Sequence, residues 1–201
     1  MLRQRTLPAG FIEPCLPTKT DTLPSGGLWV HEIKHDGFRV IARKIGARVR
    51  LYSRPGNDLT DRFPQIVEAL SHLRSRSCII DGEAVCCDDN GLAVFDRIRY
   101  RRHDASVFLY AFDLIELGGD DLRREPLDVR KATLWSLLIK TGPGLRWNEH
   151  IEGNGETIFL SPRLQARVRR HRFQAEGLAL PLWSLARLAQ DEEPGSSGGE
   201  A

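Results

Sequence analysis

The apolar positions of this chain fall into short runs that predict several strands. Strand-like runs cover Leu28–Lys34, Phe38–Ile45 and Arg48–Tyr52, and a turn is predicted at Ile45-Gly46-Ala47. Ser106–Ile115 is apolar nearly throughout, which indicates a buried strand. The first half of the chain therefore has the pattern of a sheet.

Two segments have a helical rather than a strand-like period. Pro64–Leu73 places apolar side chains at Ile66, Val67, Leu70 and Leu73, and this spacing predicts a helix. Val129–Ile139 is predicted as a second helix with a narrow apolar stripe at Leu134, Leu137 and Leu138. Both helices would have one face available for packing on a sheet.

Cys78–Ile80 and Ala84–Cys87 are predicted as short strands on either side of a turn at Asp81-Gly82-Glu83. Strands and helices in this order predict an α+β domain with a mainly antiparallel sheet. Proline and glycine punctuate residues 1–27, which are expected to form an extended arm. The domain itself is expected to occupy residues 28–159, followed by an aberrant or disordered tail at 160–201.

Composition limits the class of protein without choosing a function. The chain has 201 residues, 41% of them apolar, and a net charge of +2, so it can bury one substantial core and has no strong global field. It contains no apolar run of the roughly 20 residues that span a bilayer, and its four cysteines lack paired metal-site spacing. A cytoplasmic protein with free thiols, no membrane contact and no zinc site is expected.

The segment His31–Arg39 contains the strongest chemical signal. Lys34 is followed by Gly37, which permits close backbone approach, and by Arg39, which suits phosphate. A lysine amine attacks phosphorus only when it is unprotonated, so desolvation or neighbouring cations must lower its pKa. A solvated lysine at the end of a strand would explain this segment equally well if it stood alone.

Three further segments follow in order: Ser53-Arg54-Pro55-Gly56, Ile79-Ile80-Asp81-Gly82-Glu83 and Tyr110-Ala111-Phe112-Asp113-Leu114. Together with Lys34-His35-Asp36-Gly37-Phe38-Arg39, this set resembles the adenylation domain of ATP-dependent DNA ligases of the bacterial ligase D type. The resemblance extends from about Phe11 to Phe159. It implies an ATP-grasp-like nucleotidyltransferase fold with mainly antiparallel sheets.

The resemblance implies a covalent mechanism that begins at Lys34. Its amine would attack the α-phosphate of ATP and form a lysine–AMP adduct. Arg39 would hold the ribose or a phosphate, and Arg54 would contact the bound nucleotide, although a plain turn arginine is the alternative for Arg54. Asp36 is expected to orient the loop rather than to perform acid–base chemistry.

The resemblance also implies three further contacts to the nucleotide. Glu32 would accept a hydrogen bond from the adenine amino group, Glu83 would bind ribose hydroxyls and control charge at a metal, and Phe112 would stack on adenine. A solvent-facing strand glutamate and a core phenylalanine are the alternatives for Glu32 and Phe112. Mg²⁺ or Mn²⁺ is expected with ATP, and its ligands are left open.

The partners that the resemblance implies are nicked or broken double-stranded DNA, with end-joining polymerase and end-binding proteins as further candidates, and the chain is expected to be a monomer. DNA repair and recombination are the implied processes. An RNA ligase or capping-type nucleotidyltransferase is one alternative. A noncatalytic fragment that at most binds ATP is the other.

Two later family motifs, Glu-Gly-Ile-Val-Ser-Lys and Trp-Leu-Lys-Met-Lys, are absent. Glu176-Gly177-Leu178-Ala179-Leu180-Pro181 imitates the first, but proline stands where the lysine belongs, and no lysine follows Lys140. The oligonucleotide-binding barrel usual in ligases is also expected to be missing. Without these lysines we expect ligation to be weak or absent.

The genetic code offers an explanation for both absences. The segment 169–174 can be encoded as CGA AGG CAT CGT TTC CAA, which reads Glu-Gly-Ile-Val-Ser-Lys when shifted by one base into Ala175. The segment 187–192 can be encoded as AGA CTG GCT CAA GAT GAA, which reads Asp-Trp-Leu-Lys-Met-Lys after the same shift into Glu193. We therefore hypothesise that the chain from about Leu160 onward is an out-of-frame translation of a ligase gene.

Overall fold

The computed structural model describes residues 10–15, 29–89, 91–152 and 183–187. Its strands are β1 (Trp29–Ile33), β2 (Phe38–Ile45), β3 (Arg48–Ser53), β4 (Ser77–Val85), β5 (Phe108–Leu117), β6 (Asp120–Asp121), β7 (Leu145–Trp147), β8 (His150–Glu152) and β9 (Trp183–Arg187). Its α-helices are α1 (Pro64–Ser71), α2 (Phe95–Arg99) and α3 (Leu127–Leu138), and 3-10 helices lie at Thr60–Arg62 and Asp104–Ser106.

A larger sheet forms the centre of the molecule. Its strands follow the order β3-β2-β4-β5-β6 in antiparallel pairs, and β7 runs parallel to β5. A smaller antiparallel sheet has the order β8-β1-β9. The expected α+β class with mainly antiparallel sheets is confirmed.

The hairpin between β2 and β3 follows from local sequence. β2 covers Phe38–Ile45 as predicted, and Ile45 pairs with Arg48 across the turn. Gly46 has φ +57°, a left-handed conformation that glycine adopts without a steric penalty. This turn could therefore be predicted from the sequence, because it depends on residues that are neighbours in the chain.

The predicted turn at Asp81-Gly82-Glu83 is wrong. β4 runs without interruption from Ser77 to Val85 and pairs with β2 on one side and β5 on the other. A Cβ at Gly82 would lie 2.6 Å from the carbonyl oxygen of Tyr110. This glycine therefore permits close approach of two strands, beside a register shift between Asp81 and Gly82, and does not serve a turn.

Both predicted helices exist and help to form the main core. Helix α1 ends at Ser71, two residues earlier than predicted, and buries Ile66 and Leu70. Helix α3 begins at Leu127, directly after Pro126, and buries Leu134 and Leu138. Their buried faces pack with apolar side chains from β2, β3, β4 and β5.

A smaller core lies between the sheet and the described part of the N-terminal segment. Phe11 and Ile12 pack against Ile41, Tyr52, Ile79 and Ile115. The rest of the predicted arm lies outside the described residues, as does the predicted tail at 160–201 apart from β9. Within the described part of the chain, no helix is long and apolar enough to cross a membrane.

Candidate active site

Lys34 lies in the short connection between β1 and β2. Its side chain is exposed, so burial in the protein alone does not supply the desolvation that was one of the two expected means of activating the amine. A Cβ at Gly37 would lie 2.1 Å from the carbonyl oxygen of Ala84 on β4. Gly37 therefore permits the connection that carries Lys34 to lie close against the central sheet.

Glu83 is the acidic side chain that faces this connection. Burial raises the pKa of Glu83 to about 7, while the charges of Arg39 and Lys34 oppose the rise. The carboxylates of Asp81 and Asp36 act in the same direction as burial. Glu83 is thus close enough to Lys34 for their charges to interact, as the predicted site requires.

Arg39 is fixed on β2 by the neighbouring strand. Its Nε donates to Asp81 Oδ1 at 2.6 Å and its Nη2 donates to Asp81 Oδ2 at 2.8 Å. Asp81 is buried, so a fork of two charge-assisted bonds stabilises its negative charge. The guanidinium carbon also lies 4.3 Å from the centre of the Phe112 ring, which brings Arg39 and Phe112 together.

Glu32 is buried on β1 and does not face solvent, so that alternative for Glu32 is wrong. Lys131 Nζ, on α3, donates to Glu32 Oε1 and also to the backbone oxygen of Phe112, the latter at 3.0 Å. Burial raises the pKa of Glu32, and the charge and hydrogen bond of Lys131 counter the rise. Lys131 thereby links the strand of Glu32 to the strand of Phe112.

Sequence reasoning missed Lys131 as a site residue. Glu32 and Lys131 are 99 positions apart, so no local motif joins them. One signal was available, because Lys131 occupies the buried face of α3 that also holds Leu127, Leu134 and Leu138. A lysine on the apolar face of a helix indicates a buried partner for its charge.

Asp113 lies in β5, directly after Phe112. It accepts hydrogen bonds from Arg130 Nε at 2.9 Å and from Arg130 Nη2 at 3.2 Å. Its Oδ1 also accepts the backbone N–H of Leu114 at 2.8 Å. Arg130 and Lys131, neighbours on α3, therefore bind the side chain of Asp113 and the backbone oxygen of Phe112, respectively.

His35, directly after Lys34, is buried between β5 and the segment that follows β7. Its ring stacks on Tyr110 with the centroids 3.8 Å apart, and its Nε2 lies 2.9 Å from Asn148 Oδ1. These contacts anchor the residue next to the candidate nucleophile.

Arg54 is the predicted site residue that these contacts do not connect to the others. It is exposed in the turn after β3, where the N–H of Gly56 donates to the Ser53 carbonyl at 2.7 Å. None of the ion pairs between described residues includes Arg54.

The described residues form no group of three or more histidine, cysteine or acidic side chains suited to a metal ion. Magnesium retains several waters and binds through one or two carboxylates together with substrate phosphates. Glu83 is half-buried and its charge interacts with that of Lys34, so it is a suitable carboxylate for a magnesium ion that needs only one or two.

Comparisons with known proteins show which family and which proteins this chain is similar to. Residues 18–157 match the family described as ATP dependent DNA ligase domain. The chain is 31% identical over 155 residues to the multifunctional non-homologous end joining protein LigD of Mycolicibacterium smegmatis, covering 77% of this chain and 19% of that protein. It is 34% identical over 169 residues to DNA ligase C2 of the same organism, covering 72% of this chain and 47% of that protein.

Solved structures of ligase D proteins are also similar to this chain. The ligase domain of M. tuberculosis LigD superposes with a TM-score of 0.64 at 28% identity, covering 83% of this chain and 50% of that chain. A mycobacterial DNA ligase D complexed with ATP and MES gives a TM-score of 0.63, with the same identity and coverage. The chain spans half or less of the length of these relatives.

Proposed function

The chain belongs to the ATP-dependent DNA ligase family, and on that premise we propose that it performs lysine adenylation by ATP with transfer of AMP to nicked DNA. Lys34 Nζ would form a bond to the α-phosphorus while the bond to the β-phosphate oxygen breaks. Pyrophosphate leaves with the bonding electron pair, and the amine loses its proton. The observation that supports this proposal is the interaction of the Lys34 charge with Glu83, which lies on β4 in the sheet that also holds Arg39 and Phe112.

The nucleotide would lie across the strand ends that surround Lys34. Phe112 would stack on adenine and Glu32 would accept its amino group, supported by their shared contact with Lys131. Arg39 would hold the ribose or a phosphate, supported by a guanidinium that Asp81 already orients. Arg54 would reach the nucleotide from its exposed turn, and Glu83 would bind ribose hydroxyls.

The amine of Lys34 needs a local cause for losing its proton. Lys34 is exposed, so the bound nucleotide itself would have to cover it. The neighbouring Glu83 has a carboxyl pKa of about 7, so it can be either charged or neutral near neutral pH. Mg²⁺ or Mn²⁺ would neutralise charge on the phosphates when bound, with Glu83 as the fitting carboxylate.

The proposed substrate is a nick or break in double-stranded DNA. Support comes from the relatives whose names include non-homologous end joining. End-joining polymerase and end-binding proteins are the corresponding candidate partners. We propose a monomer that acts in DNA repair and recombination.

The absence of the lysines of the two late family motifs limits the proposed ligation activity. In the complete motif they would stabilise charge on the α-phosphate, and loss of one such donor typically costs about 10²–10³ in rate. The family match extends to residue 157, before the segments that can encode these motifs in the shifted frame. We therefore propose weak or absent ligation together with retained ATP binding.

Labelling with radioactive ATP tests the first step directly. The full chain is incubated with α-labelled ATP and Mg²⁺ or Mn²⁺, and a covalent adduct is detected after denaturing electrophoresis. Lys34→Ala should abolish the label, whereas Lys140→Ala, at an exposed lysine outside the site, should keep it. Label that persists in Lys34→Ala would overturn the assignment of the nucleophile.

Labelling with GTP, sealing of nicked RNA or DNA, and measurement of ATP binding separate the other candidate activities. Label from GTP in preference to ATP would favour a capping-type enzyme, and sealing of nicked RNA but not nicked DNA would favour an RNA ligase. ATP binding without any adduct would identify a noncatalytic fragment.

A further inference from the structure

The Lys131 amine connects two groups of the proposed adenine site. Its side chain is 2% exposed, and its Nζ donates both to Glu32 Oε1 and to the Phe112 backbone oxygen. The same nitrogen lies 5.1 Å from the centre of the Trp147 ring. A buried ammonium with two oxygen acceptors and an aromatic face is held in one place.

We propose that Lys131 is a positioning residue that selects adenine over guanine by holding Glu32 as an ionised hydrogen-bond acceptor beside Phe112. The inference rests on the proposed function, because it assumes that Glu32 and Phe112 bind the base. Lys131 itself acts through Glu32 and through the backbone of β5.

The selectivity follows from the donors and acceptors of the two purines. Adenine presents an amino donor at the position where guanine presents an oxygen acceptor. An ionised carboxylate can only accept, so it binds the adenine amino group and repels the guanine oxygen. A protonated carboxyl group can also donate, and that repulsion is then lost.

Lys131 is the group that can keep Glu32 ionised in its buried position. An isolated carboxyl group in such surroundings takes up a proton in preference to remaining charged. The other charges that act on Glu32 are Asp113 on β5, which opposes ionisation, and Arg39 on β2, which favours it. Arg39 already forms an ion pair with Asp81. On the neighbouring strand β8, His150 is the residue that pairs with Glu32.

Binding of ATP and GTP to the full chain tests the proposal. Dissociation constants are measured by equilibrium dialysis for the wild type, Lys131→Met and Lys131→Arg. Wild type should prefer ATP by tenfold or more, on the order expected when a base is rejected by an unpaired buried polar group. Lys131→Met should reduce the preference to within about threefold, and Lys131→Arg should restore most of it because the cation is retained.

Lys44 provides a matched control for the loss of a buried amine. It is also buried, and its Nζ donates to the carbonyl oxygens of Leu73 at 2.9 Å and Ser75 at 2.7 Å. Lys44→Met should lower the melting temperature without changing the ratio of ATP to GTP affinity. General destabilisation is thereby separated from loss of base selection.

The outcomes distinguish this inference from the proposed function. If Lys131→Met binds ATP with the wild-type preference, the positioning role of Lys131 is wrong while the proposed function stands. If the wild type binds no ATP, both fail. Should Lys131→Met not fold, Lys131→Gln keeps a hydrogen-bond donor to Glu32 without the charge, and an unchanged preference there would equally overturn the inference.

Discussion

Glu83 couples the stability of the fold to pH because its carboxyl group is buried among charges. Burial raises its pKa from 4.5 to about 7, so the folded chain holds this proton more tightly than the unfolded chain. The stabilising contribution is complete below about pH 4.5 and is lost as pH rises towards 7. Its size is at most about 3 kcal/mol, and less for a group that retains some exposure.

Urea unfolding at pH 5 and pH 7.5 measures this effect. The free energy of unfolding of the wild type should fall across the interval by more than that of Glu83→Gln, which has no proton to lose. The other acids contribute equally to both proteins, so the difference between the two slopes belongs to position 83. Equal slopes would show that Glu83 titrates normally.

Gly37 tests how closely the Lys34 connection must approach β4. Gly37→Ala places a Cβ 2.1 Å from the Ala84 carbonyl oxygen and 2.9 Å from Val85 Cγ1, so the connection must shift. We expect a loss of about 1–3 kcal/mol in the free energy of unfolding, together with slower adduct formation at Lys34.

Gly142 is the matched control for this substitution, because a Cβ there meets no atom within 4 Å. Gly142→Ala should leave stability unchanged or increase it by up to about 1 kcal/mol through the unfolded state. An equal loss in both variants, measured in urea, would remove the special role of Gly37.

The residues of the site differ in how far sequence could predict them. Lys34, Gly37 and Arg39 belong to one short segment, and this segment together with the three that follow it carries the family resemblance that implies their roles. Lys131 could not be assigned in this way, because its contact with Glu32 depends on the docking of α3 onto the sheet. Arg54 remains a prediction, since its exposed turn shows no described contact with the cluster.

At the level of elements, α3 is the helix that links the core to the candidate site. Leu134 on its buried face is fully inaccessible, whereas Val129 is 45% exposed. Leu134→Ala should lower the free energy of unfolding by about 2–5 kcal/mol, because it removes buried methyl groups and leaves a cavity. Val129→Ala should change it by no more than about 0.5 kcal/mol.

Chemical denaturation monitored by circular dichroism measures both variants. Leu134→Ala should also weaken ATP binding, since α3 carries Lys131 to Glu32. Similar effects of the two substitutions would mean that the helix does not pack as described.

Strand β4 shows why elements can be misread from sequence. Asp81-Gly82 has the composition of a turn, and local chemistry predicted one. Tertiary pairing determines the outcome instead, because β4 lies between β2 and β5 and Gly82 admits the close approach of Tyr110. By contrast, the turn of the β2–β3 hairpin was predicted correctly, since Gly46 adopts the left-handed conformation that its local sequence favours.

At the level of the whole molecule, we propose that the reading frame beyond about residue 160 governs how much ligase chemistry the chain can perform. The family match extends to residue 157, and the segments 169–174 and 187–192 can encode two late ligase motifs in one shifted frame. We predict that the nucleotide sequence of the gene carries the codons that this shift requires. Codons incompatible with either motif would end the hypothesis.

Restoring the frame provides a functional test of the same idea. A chain translated in the shifted frame from about Leu160 would regain three lysines, which can stabilise charge at the α-phosphate. It should transfer labelled AMP to a nicked duplex at least about 10²-fold faster than the present chain. Lys34→Ala in the restored chain should abolish this transfer, because without the first adduct the late lysines have no adenylate to act on.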